Sequence, residues 1–137
     1  MKNLTTALMT LFNSTEGGAH NAFYTSVSGK LYKERASQDA TLPYAVYHII
    51  SNVAEYTFTT FFEKTRIQFD LYAPVSDSSS VVEDMYTNLK ALFDWCTLVI
   101  SDNTHLYMRR ELARLSRDPT DDCWMYQIDY ELFMERQ

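Results

Sequence analysis

Residues 64–73, KTRIQFDLYA, constrain this chain more than any other segment. Thr65, Ile67, Phe69, Leu71 and Ala73 fall on one side of an extended backbone. Lys64, Arg66, Gln68, Asp70 and Tyr72 fall on the other. Strand side chains alternate with a period of two, so this pattern predicts a strand with one buried face. The opposite face must meet water or a partner. Residues 123–135 repeat the pattern, with Trp124, Tyr126, Ile128, Tyr130, Leu132 and Met134 set against Met125, Gln127, Asp129, Glu131 and Phe133.

A buried strand face needs an apolar layer against it. The segment after Pro74 supplies one. Val82, Met85, Tyr86, Leu89, Leu92 and Phe93 follow helical spacing, which predicts an amphipathic helix over about 78–94 whose stripe packs on the sheet. Ser76-Asp77-Ser78-Ser79-Ser80 precedes it, and Ser80 with Glu83 fits a capping box. Leu4, Leu8, Leu11 and Phe12 predict a short N-terminal helix over 3–13, ended by Glu16-Gly17-Gly18. A second short helix is expected within 20–28, then a short strand at Lys30-Leu31-Tyr32 after Gly29.

Residues 36–42 read as a polar connection and Pro43 as the entry to a strand, Tyr44 to Ser51. YTFTTFF at 56–62 reads as a further strand, and 97–100 as another, followed by a turn at Ser101-Asp102-Asn103. Residues 105–116 are expected to pair with 123–135 as a hairpin around Asp118-Pro119-Thr120-Asp121. A helix over 106–117 is the rival, since Leu106, Arg109, Arg110 and Ala113 also fit helical spacing. The strand is preferred because its partner run is so plainly a strand. Together these elements predict an α+β fold in one domain spanning 1–137, an antiparallel sheet with the two main helices on one face. Three glycines and three prolines leave no linker within 137 residues.

The search for chemistry is mostly negative. His20, His48 and His105 share no ligand spacing, and His48, between Tyr47 and Ile49, reads as a hydrogen-bonded histidine in or beside the core. Cys96 and Cys123 make neither a zinc pattern nor a disulfide framework and read as reduced, partly buried thiols. Asp118, Asp121 and Asp122 around Pro119 read as a solvated turn. No phosphate loop or nucleophile elbow occurs. No catalytic, cofactor-binding or metal-ligating residue is therefore assigned, and an enzyme is not expected. The net charge of -6 argues against a protein that grips nucleic acid, which needs a cationic excess. The N-terminus is a poor signal peptide, and no run approaches the ~20 apolar residues of a membrane span.

Two features point outward. Arg109, Arg110, Arg114 and Arg117 form the one basic run. On a regular strand Arg109 and Arg117 would share a face with Glu111, and Arg110 and Arg114 the other. They could pair across strands with Asp129, Glu131 or Glu135, or serve a subunit interface. Nucleic-acid contact ranks third. The second feature is aromatic surplus: Tyr44, Tyr47, Tyr56, Phe58, Phe61, Phe62, Phe69 and Tyr72 exceed what one small core holds, and aromatics are enriched at interface cores. Arg66, Tyr72, Arg109, Arg110, Arg114 and Arg117 are the candidate subunit or partner surface.

The segments LPYAVYHIISN, RIQFDLYAPVSDSSSVVEDMYTNLKALFD, MRRELARLSRDP and WMYQIDYELFME resemble, in order and in short motifs, the tail-terminator (tail-completion) proteins of tailed bacteriophages. The likeness covers about 30–137. It implies an α+β minor tail protein that forms a homomeric ring, typically a hexamer, at the head-proximal end of the virion tail. Such a ring would stop tail-tube polymerisation. Its partners would be itself, the tail-tube protein and the head–tail connector. DNA would pass through the lumen without specific binding, and no cofactor, activity or membrane is implied. Assembly would occur in the host cytoplasm. The alternatives are a head-completion or minor capsid protein, and, from another class, an α+β module binding a small ligand in a closed apolar cavity.

Overall fold

In a computed structural model of the chain, which describes residues 2–36, 41–57, 60–74, 79–100, 103–118 and 123–136, the two alternating segments lie side by side. They are β5 (Phe61–Pro74) and β7 (Cys123–Arg136), antiparallel, with Phe69 opposite Ile128 and Ile67 opposite Tyr130. β6 (Asn103–Asp118) pairs with the far side of β7, so the strand reading of this segment holds over the helical one. β4 (Tyr44–Tyr56) pairs antiparallel with β5. β3 (Leu31–Lys33) adds to β4 in parallel, giving the order β3-β4-β5-β7-β6. The sheet is thus antiparallel except at this short edge pair.

The helices α1 (Lys2–Phe12), α2 (Ala22–Ser26) and α3 (Ser80–Phe93) supply the apolar layer. Leu4, Leu8 and Phe12 of α1 and Val82, Met85, Leu89 and Phe93 of α3 are buried in one cluster with Ile67, Phe69, Leu71, Ile128, Tyr130 and Leu132. Every residue assigned to the buried side of 65–73 is fully buried. Phe69 is the hub, with ring centroids 4.8 Å from Phe93, 5.8 Å from Tyr130 and 6.2 Å from Tyr47. Such tilted and edge-on pairs add about 0.5–1.5 kcal/mol each beyond area burial.

Several expectations need correction. Glu16-Gly17-Gly18 does more than stop α1: β1 (Thr15–Glu16) and β2 (Ala19–His20) pair across Gly17 and Gly18, at φ +62° and +85°. A two-residue hairpin turn with both φ positive is a glycine position. His20 belongs to β2, and α2 starts after Asn21, whose side chain accepts from Tyr24 N–H at 2.9 Å. The expected capping box is absent. Ser79 is the N-cap of α3, and its hydroxyl turns to the Glu83 carboxylate instead of the backbone.

The run 56–62 is not one strand. Tyr56 ends β4 and Phe61 begins β5, with Thr57 N–H donating to Thr60 C=O at 2.9 Å and Thr60 N–H to the Thr57 hydroxyl at 3.0 Å. Threonine hydroxyls bond local backbone, so this β-rich composition also closes a turn. Residues 97–100 form no strand. They keep the alternation, Leu98 and Ile100 buried and Val99 exposed, but pair with no described strand. The expected features at 37–40, 58–59, 75–78, 101–102 and 119–122 lie outside the described residues.

Candidate functional site

With all three helices on one side, the other side of the sheet is open. Register decides what it displays. Lys64, Arg66, Gln68, Asp70 and Tyr72 rise from β5, as the alternation predicts, beside Tyr44, His48 and Val53 of β4. Gln127, Asp129, Glu131 and Phe133 rise from β7. Tyr107, Arg109, Leu112 and Arg114 complete the face from β6.

The face is organised in patches. Tyr44 lies between Tyr32 and Tyr72, with centroids 6.0 and 5.1 Å apart. Beside them His48 Nε2 is 3.1 Å from Asp70 Oδ2 and Nδ1 is 3.4 Å from Glu34 Oε2, while Gln68 donates to Asp70 Oδ1 at 3.0 Å. Asp70 is nearly buried, and these donors satisfy it. A belt of ion pairs follows: Lys64–Glu55 at 3.1 Å, Arg66–Asp129 at 3.9 Å and Arg109–Glu131 at 2.8 Å. Phe133 stacks on Phe62 at 5.2 Å and meets Tyr107 at 5.4 Å.

The six candidate surface residues do not all come together. Arg66, Tyr72, Arg109 and Arg114 share the open face. Arg110 and Arg117 point to the helix side, opposite Tyr130 and Trp124. The expected sharing of faces, Arg109 with Arg117 and Arg110 with Arg114, is wrong. The cause is a β-bulge: between Arg110 and Leu112 the register shifts, leaving Glu111 as an extra residue. One inserted residue inverts the alternation beyond it. Arg109, before the bulge, and Arg114, after it, therefore emerge together. Arg109 Nε donates to Glu111 at 2.8 Å and to Glu131 at 3.0 Å, which fulfils the cross-strand pairing expected for the basic run. Arg114 donates to the neutral Gln127 amide oxygen at 3.0 Å.

Arg110 reaches along the rim of the helix side and stays partly exposed. It donates to the Tyr86 hydroxyl of α3 and pairs with Asp94 at 3.4 Å. Asp94, the residue that caps the end of α3, also accepts from the buried Tyr130 hydroxyl. Burial first, then the Asp94 carboxylate, hold the Tyr130 phenol well above its ordinary range. The network fastens the end of α3 to β6 and β7.

Sequence reasoning missed two features. The Glu34–His48–Asp70 group depends on register, because His48 and Asp70 are diagonal neighbours across β4 and β5. The second is an arm. Past β3, the tip half of the β4–β5 hairpin leaves the core: residues 50–56 are all exposed, including Ile50, Val53 and Tyr56, with Phe61 opposite. The sequence signal was available, since apolar residues in 49–56 follow no single face.

On the helix side, an open groove of about 630 Å³ runs between the β1–β2 hairpin and α3, lined by Ser14, His20, Asn21, Asn88 and Leu92 among others. It is not the closed apolar cavity expected of a small-ligand module. Among the described residues no group of three or more His, Cys, Asp or Glu could hold a metal ion, and no helix is long and apolar enough to cross a membrane.

No protein-family model matches the chain, and no curated protein matches it in sequence. Solved structures do match. A chain of the virion of a native gene transfer agent particle superposes with a TM-score of 0.80 over 96% of this chain and 94% of its own, at 9% identity. A second solved chain superposes with a TM-score of 0.63 over 99% of this chain and 94% of its own, at 13% identity. These likenesses establish a shared fold that extends over nearly the whole of each chain.

Proposed function

We propose that this chain is a structural subunit of a phage-type virion, a tail terminator that assembles as a homomeric ring at the head-proximal end of the tail and has no enzymatic activity. The observation that carries this reading is the near full-length superposition on a chain of a gene transfer agent virion. The order of motifs in the sequence, similar to tail terminators, points the same way. The open sheet face, with its aromatic patches and bare arm, gives the subunit surface to share with copies of itself, the tail tube and the head connector.

The charge arrangement suits a ring that lets DNA pass. Lys64, Arg66, Arg109 and Arg110 each lie within 4 Å of a carboxylate. A phosphate would have to displace that carboxylate, and the overall charge of -6 repels polyanions. Such a ring would let DNA slide through without gripping it.

Light scattering after size exclusion tests the reading. A discrete species near six times 16.0 kDa is expected, growing with concentration. Virions assembled without the protein should carry tails of uncontrolled length. A strict monomer at every concentration, with and without tail tubes, together with tails of normal length in its absence, would overturn the proposal.

A further inference from the structure

The hairpin arm and the far edge of the same sheet are complementary. Past Tyr47 no described strand pairs with the outer edge of β4, so among the described residues its outward-facing backbone groups from 48 to 56 meet no strand. Ile50 (52% exposed), Val53 (55%), Tyr56 (69%) and Phe61 (53%) crowd this arm. A long, apolar, unpaired edge is a template for another strand. At the other end of the sheet, the outer edge of β6 is bare in part. Within its first half, Trp95 N–H donates to Met108 C=O at 2.8 Å. From Arg109 to Ser116 no described strand covers it.

Resting on the ring reading, we infer that the occupant of the arm is a second copy of this chain: the bare edge of β4 in one subunit adds to the bare edge of β6 in the next, continuing the sheet around the ring. Three observations support this occupant. Strand direction alternates from β4 through β5 and β7 to β6, so β6 of one copy beside β4 of the next is antiparallel. That pairing forms the more stable ladder.

Side chains also match. Val53 and Leu112, both more than half exposed, emerge on the same open face, because Val53 pairs with Lys64 and Leu112 with Asp129. Set opposite each other, they place Ser51 across from Arg114 and, beyond the Glu111 bulge, Glu55 across from Arg109. Opposite charges and apolar pairs across an antiparallel ladder stabilise it.

Finally, the two bare edges are offset. The free part of β4 is the hairpin end and the free part of β6 is the opposite end of the sheet. Neighbours must therefore step along the strands, as strands must stagger and tilt in any closed sheet. Half an edge falls short of the ~800 Å² per partner of a stable pair. Ring closure gives each copy two such contacts, so isolated dimers should be scarce.

Cross-linking tests the assignment. Val53→Cys and Leu112→Cys proteins are prepared separately, mixed, and treated with a short bismaleimide; the unsubstituted protein controls for Cys96 and Cys123. Covalent dimers that form only in the mixture are expected, and a Val53→Cys/Leu112→Cys double variant should yield a ladder up to the full ring. Dimers of the Val53→Cys protein alone would overturn the proposal in favour of arm-to-arm pairing. A ring-sized species by light scattering with no cross-link in the mixture would overturn it while leaving the ring reading intact. A monomer under all conditions would sink both.

Discussion

Asp94 offers the sharpest test of how the open sheet is fastened to its helices. Tyr130 is fully buried, and its hydroxyl donates to Asp94 Oδ1. Asp94→Ala leaves that hydroxyl without an acceptor and out of reach of water, at a cost of about 1–3 kcal/mol. It also frees Arg110, whose pairing at 3.4 Å is partly solvated and contributes at most about 1 kcal/mol. The expected loss is about 2–3 kcal/mol. Tyr130→Phe removes the donor and leaves the carboxylate, which is one-quarter exposed, to be hydrated, so it should cost only about 1 kcal/mol. In the Tyr130→Phe background, Asp94→Ala no longer strands a buried hydroxyl. The double variant should therefore fall short of additivity by about 1–2 kcal/mol. Urea titration reads this directly: at a slope of roughly 2 kcal/mol per molar, Asp94→Ala moves the midpoint down by about 1 M with the slope unchanged. Strict additivity, or a Tyr130→Phe loss as large as that of Asp94→Ala, would refute the account of the network.

Other consequences follow from the same geometry. Arg110→Ala should lower the melting temperature by several degrees, for a loss of about 1–2 kcal/mol, while leaving self-association in place. Arg114→Glu should do the reverse, holding the melting temperature within about 1 °C and reducing ring formation; the bulge, by sorting the arginines onto two faces, sets this contrast, and equal melting losses would contradict it. Burial pushes the Cys96 thiol up to about 12 and raises the Tyr130 phenol further. Both groups are therefore neutral in the folded chain when they would already ionise in the unfolded one. Stability should be intact below pH 9 and fall as pH rises from about 9 towards 12, and Cys96→Ala should flatten the first part of that fall. Burial lowers the basicity of His105, so the acid limb has the opposite sign. Stability should fall as pH drops below about 6.5, and His105→Leu should remove that part in a pH series of thermal melts.

Much of the fold was legible because burial writes a period into the sequence. The alternation in 64–73 assigned every buried side chain of that part of β5 that enters the core, missing only Asp70, which is covered on the open face, and the helical stripe of 82–93 named the residues of α3 that enter the core. What failed had no periodic signature. Thr57 and Thr60 belong to a turn, yet they are as β-prone as their neighbours. Leu98 and Ile100 alternate with Val99 without a partner strand, because alternation reports which sides are buried and not whether a ladder exists. The surface residues depended on parity. Arg66 and Tyr72 lie where the alternation puts them, while one extra residue at Glu111 inverted the faces of Arg114 and Arg117 beyond it. Nothing in MRRELARLSRD marks Glu111 as the bulge.

The relation between the two faces explains how such a fold can persist at 9% identity. The helix side needs only apolar side chains of suitable volume at alternating and helical positions, and many sequences satisfy that. The open face has no covering layer, so its residues answer to partners instead of to the core. It keeps few fixed requirements for folding: a charge there needs a nearby opposite charge or water, and the ion-pair belt supplies the first. Its edges differ in kind. The β6 edge is guarded by a bulge and by arginines, devices that discourage indiscriminate strand pairing. The β4 edge past Tyr47 also has a bulge, at Ile50, but no arginine, and it offers Ile50, Val53 and Tyr56 with a single acid, Glu55. A chain whose two edges differ in side chains but complement each other is arranged for head-to-tail addition, which generates a ring if the rotation closes and a filament if it does not.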